Sequence, residues 1–190
     1  DLAVGAVGVT LVCRHLQALI SYNHDMSATS SDLPAPGLLD GLAAIVGPDH
    51  VLTDDASRTF YSTDVFREAD VLALAVVQPG TVAELQEVMR LCARHRTPTL
   101  VRGGGASYTD AYLPVREGTV TLDTSRLTRI DISEEDLYVT VEAGVTWAKL
   151  YEAVSERGLR TPMWGPFSGL AATVAGGMSH YAVNYGSGLY

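Results

Sequence analysis

The segment from residue 71 to residue 105 constrains the fold of this chain more than any other stretch of its sequence. Residues 71–77 form a continuous apolar run that ends at Gln78-Pro79-Gly80, which is typical of a strand buried on both faces. A helix is predicted next, and a second short strand at 98–101 leads directly into a run of glycines. This order predicts a βαβ unit whose glycine loop lies at the carboxyl end of a strand, where open α/β sheets bind ligands.

The helix of this predicted unit begins with a capping box. Thr81 stands three residues before Glu84, so its hydroxyl can accept a hydrogen bond from the Glu84 amide while the Glu84 side chain reaches back. Arg94, His95 and Arg96 then place cations near the helix end, where they stabilise it. The expected apolar stripe consists of Val82, Leu85, Val88, Met89 and Cys92.

The rest of the chain is predicted to alternate helices and strands. Residues 51–64 are expected to be helical or irregular, 131–136 to be a solvated turn, and 161–190 to be loop. One further helix is predicted at Leu38–Val46. Another is predicted at about 147–157, with Thr146 as its cap, Gly158 as its stop, and Leu150, Ala153 and Val154 facing inward. Further strands are predicted at Val120–Asp123 and 137–142. The fold class expected is therefore α+β (α/β).

Composition excludes several classes of protein. The chain has 190 residues, of which 47% are hydrophobic and 18% are charged, a balance that supports one buried core and argues against disorder. The net charge of −9 disfavours nucleic acid as a partner, because a phosphate backbone requires a basic face. It leaves room for an anionic ligand, which backbone N–H groups can bind.

The cysteines and the first residues bear on the compartment. Cys13 and Cys92 form no CxxC pair and indicate neither a disulfide framework nor a zinc site, so we expect no metal and a reduced, cytoplasmic protein. Residues 2–12 are apolar but too few to cross a bilayer. They also lack the basic start and the cleavage site of a secretory signal, so no membrane partner is expected.

Three regions are predicted along the chain. A Ser/Thr/Pro-rich stretch follows Met26, so residues 1–36 are interpreted as a tail and linker with Met26 as the natural start and 1–25 as foreign or upstream-encoded sequence. A short amphipathic lead helix is the alternative for 1–25. Residues 37–70 are expected to form a helical segment and residues 71–190 a ligand-binding domain.

The first motif with chemical content is Arg102-Gly103-Gly104-Gly105-Ala106-Ser107-Tyr108. Consecutive glycines after a strand let the backbone approach a ligand and direct several N–H groups at a pyrophosphate. Ser107 adds a hydroxyl donor, and Arg102 adds positive charge. Tyr108 stands where a dinucleotide-binding GxGxxG motif would need glycine, and the motif lacks the Lys-Ser/Thr of a P-loop. A flexible turn without a ligand is the alternative.

The second motif comprises Pro166-Phe167-Ser168 and the segment from Thr173 to Ser179, which contains Gly176 and Gly177. Small residues dominate it, as expected where a flat polar ligand lies against the main chain. A close-packed helix N-terminus or a mobile loop is the alternative.

The two motifs in this order resemble the FAD-binding domain of the vanillyl-alcohol oxidase and para-cresol methylhydroxylase flavoprotein superfamily. The similarity extends over 71–190 and is most specific at 76–81, 102–108, 141–145 and 173–179. The resemblance implies a two-subdomain fold with a βαβ unit and a further small sheet. It also implies that 71–190 is an FAD-binding domain incomplete at its C-terminus, because members of the family continue with more strands and a substrate domain.

The resemblance assigns roles to residues of both motifs. The FAD pyrophosphate would be bound by the amides of Gly103, Gly104, Gly105, Ala106 and Ser107, with Arg102 and Tyr108 on either side of them. The ribityl chain and the flavin would be lined by Ser168, Thr173, Gly176, Gly177 and Ser179, and the turn before these residues would be shaped by Pro166. His180 and Tyr185 follow the second motif and could face the flavin. Catalytic residues are expected beyond Tyr190.

One departure from the family concerns how the flavin is attached. Members that bind flavin through a histidine have Gly-Gly-His-Ser-Tyr, and here that histidine is replaced by Ala106. The second motif contains no cysteine that could form a thioether. Noncovalent FAD is therefore expected.

The function implied is oxidation of a small alcohol, hydroxy acid or related substrate by hydride transfer to FAD, as an oxidase or a dehydrogenase. A UDP-sugar reductase of the same fold is one alternative. A flavin-binding or partner-binding module without turnover is the other. Partners expected are a small-molecule substrate and either the rest of the same polypeptide or further copies of it.

Overall fold

The structure, a computed structural model, describes residues 8–10, 37–162 and 168–180. These residues fall into two compact units. The N-terminal unit consists of residues 37–102 and 107–126, and the C-terminal unit consists of residues 8–10, 103–106, 127–162 and 168–180. The expected α+β fold, with a βαβ unit and a further small sheet, is confirmed.

The N-terminal unit is built on a four-stranded sheet of order β2-β3-β5-β4. Its strands are β2 (Val51–Leu52), β3 (Ala75–Val77), β4 (Thr99–Arg102) and β5 (Val120–Asp123). β3, β5 and β4 are parallel, and β2 is antiparallel to β3. The predicted βαβ unit is present, but β5 lies between its two strands, which no local pattern could indicate.

The strand predicted at 71–77 is shorter than expected. Only Ala75–Val77 joins the ladder, and all three residues are buried. Ala73 instead receives a hydrogen bond at its carbonyl from Arg58 Nε (2.7 Å) and donates its N–H to Ser62 Oγ (2.9 Å). The backbone N–H and carbonyl groups of Ala73 are thus bound by side chains, and the apolar run joins the sheet only after Ala73.

Three helices belong to this unit: α1 (Leu38–Val46), α2 (Asp55–Tyr61) and α3 (Val82–Arg94). The prediction for α1 is confirmed, and its end lies at Gly47 with φ 91°. α2 was expected only as helical or irregular chain, and Asp54 caps it by accepting a hydrogen bond from Ser57 N (2.9 Å). Between α1 and β2 the chain forms a 3₁₀ turn at Pro48–His50.

The capping box of α3 is present with one difference. Thr81 Oγ1 accepts from Glu84 N (3.1 Å), but Glu84 Oε2 accepts from Gly80 N (2.7 Å), one residue earlier than the motif implies. The predicted apolar stripe is partly wrong, because Val82 in the first turn is exposed and Leu91 is buried beside Val88 and Cys92. Burial raises the pKa of the Cys92 thiol to about 11, so it is neutral and packs as an apolar group.

The C-terminal unit has a three-stranded sheet of order β1-β7-β6. β1 (Gly8–Thr10) is parallel to β7 (Tyr138–Val141), and β6 (Ile130–Ser133) is antiparallel to β7. The strand β6 was missed, since the acidic residues there indicated only a solvated turn. Two helices complete the unit, α4 (Trp147–Ser155) and α5 (Val174–Ser179).

The core of this unit lies between the sheet and α4. Its buried members are Val139, Val141, Val145, Trp147, Leu150, Val154, Ala172 and Val174. Trp147 is therefore a buried residue of α4 that was not predicted to face inward. Ala153, which was predicted to face inward, is only partly buried. Gly158 adopts φ 67° just after α4, as the predicted stop requires.

Two sequence predictions concern regions that are incompletely described. Within the predicted tail, Gly8–Thr10 forms a strand, and the natural start at Met26 stays a prediction. The loop predicted at 161–190 contains the short helix α5, whereas Pro166 and Tyr185 lie outside the described residues. None of the helices in the described residues is long and apolar enough to cross a membrane.

Candidate cofactor site

The two sequence motifs meet within the C-terminal unit. Gly103 contacts the second motif so closely that a Cβ added to it would lie 2.6 Å from Thr173 Oγ1. A Cβ on Gly104 would lie 1.7 Å from the carbonyl oxygen of Ala171. Glycine is thus required here because the backbone of the first motif packs directly on the second. The structural reason differs from the one in the sequence analysis, where the glycines were expected to make room for a ligand.

The remaining residues of the glycine segment have separate requirements. Gly105 adopts φ 67°, in the left-handed region that disfavours other residues. Ala106 packs against the core of the C-terminal unit through its methyl group. Among the described residues, the N–H groups of Gly103, Gly104 and Ala106 have no hydrogen-bond acceptor. Backbone N–H groups without an acceptor are groups that can bind an anion.

The second motif is held by hydrogen bonds around its helix. Thr173 Oγ1 caps α5 by accepting from Gly176 N (3.1 Å), and Ser179 Oγ donates to Gly176 O (3.0 Å). Ser168 O accepts from Ala171 N (2.9 Å) and Ala172 N (2.7 Å), which closes the turn before the helix. These bonds fix the backbone around Thr173, and they use side chains that the resemblance assigned to the cofactor.

The helices α4 and α5 begin side by side. Thr146 and Thr173 form an isolated β-bridge, and each caps its own helix. Trp147 N donates to Ala172 O (3.2 Å), and Val174 N donates to Val145 O (2.9 Å). Two helix N-termini therefore lie close together beside Gly103, and their positive ends add to the attraction for an anion.

Trp147 is a site residue that the sequence analysis missed. Its side chain is 3% exposed, and its indole N–H has no acceptor in the part of the chain that the structure describes. A Cβ on Gly177 would lie 3.2 Å from the indole Nε1, so glycine is needed for this close packing. Buried tryptophan N–H groups usually find a partner. The only local signal was the cap residue Thr146, which says nothing about the side chain after it.

Arg102 occupies a different environment from the one predicted. Its side chain is 6% exposed in the N-terminal unit, and Nη1 donates to Phe60 O (2.9 Å). The guanidinium lies over the rings of Phe60, Tyr61 and Tyr112, at 4.8, 4.8 and 5.2 Å from their centroids. These cation–π contacts explain why the charge is buried. A role toward the pyrophosphate stays a prediction.

Ser107 and Tyr108 belong to the N-terminal unit. The Ser107 hydroxyl forms a hydrogen bond with Thr109 Oγ1 (2.9 Å), and its carbonyl accepts from Val65 N (3.2 Å). The Tyr108 side chain is 71% exposed. Ser107 is therefore fixed by its neighbours, whereas the ring of Tyr108 is open to solvent.

A second polar cluster, also missed, lies at the carboxyl ends of β3 and β5. The buried Asp123 accepts at Oδ2 from Tyr61 OH (2.7 Å), Gln78 Nε2 (2.8 Å) and Ser125 Oγ (2.8 Å). Burial and the hydrogen bond to Asp123 raise the pKa of Tyr61 to about 12. Each member has a partner, so the cluster joins α2 to the edge of the sheet.

Three properties of the C-terminal unit fit a dinucleotide such as FAD. Backbone donors that lack an acceptor in the described part of the chain follow β4, and a capped helix begins against them. Neither 103–106 nor 168–180 contains an aspartate or glutamate, although the whole chain carries −9. The indole N–H of Trp147, which has no acceptor among the described residues, lies beside Gly177 and fits a site that receives further polar groups.

Comparison with known proteins agrees with this geometry. A family profile described as FAD binding domain matches residues 73–190, and the chain belongs to this family. The glycolate oxidase subunit GlcD of Bacillus subtilis is 29% identical over 138 residues, covering 73% of this chain and 29% of the relative. A mitochondrial D-lactate dehydrogenase [cytochrome] of Kluyveromyces lactis is 30% identical over 125 residues, covering 64% of this chain and 21% of the relative.

A solved structure supports the same assignment. The structure of p-cresol methylhydroxylase with substrate bound superposes with a TM-score of 0.64 at 26% identity, covering 74% of this chain and 28% of that chain. The expected membership of the vanillyl-alcohol oxidase and para-cresol methylhydroxylase superfamily is thus confirmed. The chain spans less than a third of the length of these relatives.

Proposed function

We propose that this chain is the FAD-binding part of a flavin-dependent oxidoreductase that acts on a small alcohol, hydroxy acid or related substrate. The observation that carries the proposal is the direct packing of Gly103 on Thr173 and of Gly104 on the Ala171 backbone. This packing places N–H donors that have no acceptor among the described residues beside a capped helix. The names of the relatives, a glycolate oxidase subunit and a D-lactate dehydrogenase, support the substrate class.

The residues of the C-terminal unit would hold the cofactor. The amides of Gly103, Gly104 and Ala106 would bind its phosphates, and the start of α5 at Thr173 would lie beside them. The chemistry supplied by bound FAD would be hydride acceptance. This chain would contribute binding, orientation and positive electrostatic potential.

Attachment of the FAD is proposed to be noncovalent. Ala106 has no nucleophilic atom, and its methyl group packs against apolar side chains. The segment from Ser168 to His180 contains no cysteine. A cytoplasmic location and the absence of nucleic-acid and membrane partners are part of the same proposal, supported by the buried thiol of Cys92 and the net charge of −9.

An absorbance spectrum of the purified protein after incubation with FAD and desalting tests this function. Twin flavin bands that pass entirely into the supernatant on acid precipitation are expected. Colour that stays in the pellet would contradict noncovalent attachment. A colourless protein would contradict FAD binding itself. Bleaching of the bands by a 2-hydroxy acid under anaerobic conditions, tested on the longest natural polypeptide, would support the substrate class, and persistent colour with every alcohol and hydroxy acid tried would count against it.

A further inference from the structure

Trp147, the first residue of α4, contacts α5 at two points. Its backbone N–H donates to Ala172 O (3.2 Å), immediately before the cap residue Thr173. Its indole ring lies against Gly177, because a Cβ added to Gly177 would lie 3.2 Å from Nε1 and 3.8 Å from both Cε2 and Cζ2. One residue of α4 thus holds α5 just before its cap and again after its first turn.

The helix α5 depends on such contacts. It has six residues, and two of them, Gly176 and Gly177, are glycines, which lower its helix propensity. A helix this short is not stable by itself, so it is held in place by what packs against it. Trp147 has the largest side chain in the buried core of the C-terminal unit, and Gly177 is buried against it. The indole ring is therefore a principal support of α5.

Further contacts lead from α5 to the glycine segment. Gly177 N donates to Thr173 O (3.0 Å), so the first turn of α5 joins the residue that rests on the indole ring to the cap residue. Thr173 Oγ1 lies against Gly103, where an added Cβ would be 2.6 Å away. A displacement of Gly177 would therefore reach the backbone of Gly103 through one helical turn.

The indole nitrogen of Trp147 shows which property of the side chain matters here. Nε1 is buried and has no hydrogen-bond acceptor among the described residues. Burying an N–H group without an acceptor is unfavourable, and a purely apolar side chain would avoid that cost. What the fold uses is the width of the indole ring, which extends as far as Gly177.

We propose that Trp147 is a positioning residue for FAD. Its indole ring fixes Gly177 and, through the first turn of α5, holds Thr173 against Gly103. The N–H of Gly103 is one of the donors without an acceptor among the described residues. All of these contacts lie within the C-terminal unit. The inference rests on the proposed function.

Paired changes of side-chain size at positions 147 and 177 test the contact. Gly177→Ala adds a methyl group that meets the indole ring and displaces α5, so FAD affinity should fall about tenfold. Trp147→Leu removes the ring atoms that Gly177 contacts and should lower FAD affinity by a similar factor. The double variant places the added methyl group in the space that the indole ring leaves, so its FAD affinity should exceed that of either single variant.

Two quantities are measured for each variant: the FAD dissociation constant by calorimetric titration and the melting temperature without FAD. Val154→Ala is the matched control, because Val154 belongs to the same buried core but lies seven residues, about two turns, further along α4. It should lower the melting temperature without weakening FAD binding. The double variant also separates two explanations for Gly177→Ala, since a methyl group that collided with bound FAD itself would weaken binding equally with either side chain at position 147.

Three outcomes would overturn the proposal. Unchanged FAD affinity in either single variant would show that the contact does not position the site. Additive losses in the double variant would show that Gly177 affects binding independently of Trp147. A loss of affinity in Val154→Ala as large as that in Trp147→Leu would make the role of Trp147 structural only. If Trp147→Leu does not fold, Trp147→Met replaces it, alone and with Gly177→Ala, and the same outcomes apply.

The failure of the proposed function gives a separate result. A wild-type protein that takes up no FAD overturns both the proposed function and this role of Trp147, and the melting temperatures then still report whether the indole ring and Gly177 are coupled. A wild-type protein that binds FAD, beside a double variant whose losses are additive, overturns only the role of Trp147.

Discussion

Individual residues of the site are constrained by contacts that are far apart in the sequence. Gly104 illustrates this, because a Cβ added at this position would collide with the backbone oxygen of Ala171. A backbone oxygen cannot move aside as a side-chain atom can. Trp147 likewise depends on Gly177, which lies elsewhere in the chain. Sequence patterns identified Gly104 as important but did not indicate its contact with Ala171, and they did not identify Trp147.

Gly104→Ala should be strongly destabilising. The added methyl forces the glycine segment away from Ala171, at a cost of about 1–3 kcal/mol in the free energy of unfolding, with loss of FAD binding. Gly118→Ala is the control, since Gly118 has φ 75° but open space around it, and only the backbone strain of roughly 1 kcal/mol applies. Urea unfolding and FAD titration measure both effects. A Gly104→Ala variant with wild-type stability and affinity would refute the contact.

Tyr61 is expected to titrate at unusually high pH. Its pKa is raised from 10.0 to about 12 by burial and by the hydrogen bond to Asp123. A raised pKa in the folded state means that the stability it contributes is complete below pH 10.0 and is lost as the pH rises through about 12. The absorbance at about 295 nm, followed as the pH is raised, should show one tyrosine that ionises at unusually high pH, and this phase should be missing in Tyr61→Phe. Identical titration curves for the two proteins would contradict the arrangement.

The Tyr61→Phe variant should also be less stable at neutral pH. It removes one donor to a buried carboxylate that keeps Gln78 and Ser125, so the expected loss is about 1 kcal/mol. Tyr138→Phe is a suitable control, because Tyr138 lies exposed on β7. A loss no larger than that of the control would show that Tyr61 contributes little through its hydroxyl.

At the scale of helices and strands, prediction succeeded where the signal is local. The predicted cap residues Thr81 and Thr146 each begin a helix, and each accepts a hydrogen bond from the third amide of that helix. The helix α5 itself was expected to be loop, because two glycines within six residues weaken it by about 1 kcal/mol each. Its cap and its packing on Trp147 and on the glycine segment compensate for this low helix propensity.

The strand order could not be predicted in the same way. Because α3 joins β3 to β4, the sequence suggests that these two strands are neighbours in the sheet, yet β5 lies between them. The pairing of β1 with β7 likewise joins residues that are more than a hundred positions apart in the chain. Strand pairing depends on the whole fold, whereas caps and apolar periodicity depend on a few adjacent residues.

Thr173→Ala tests the contribution of the α5 cap to binding. Loss of the hydrogen bond to Gly176 N should destabilise the protein by about 1 kcal/mol. Because the same hydroxyl lies against Gly103, FAD affinity should fall as well. Thr81→Ala removes the equivalent cap of α3 and should cost similar stability without loss of FAD affinity. Equal FAD affinity in the two variants would contradict a special role for α5.

At the scale of the whole molecule, charge and length limit what the chain does alone. The net charge is −9, yet the segments proposed to bind the FAD phosphates carry no carboxylate. Anion binding therefore depends on backbone N–H groups and helix ends rather than on net charge. The chain spans less than a third of the length of these relatives, and the FAD site proposed above concerns this part alone.

The central claim is that the two glycine motifs form one FAD site within this chain. Calorimetric titration of FAD into the purified wild-type protein and into Gly104→Ala, side by side, tests it most directly. One FAD per chain is expected to bind to the wild type, and no measurable binding is expected for the variant. A wild-type protein that binds no FAD, or a variant that binds it equally well, would show that the two motifs do not form this site.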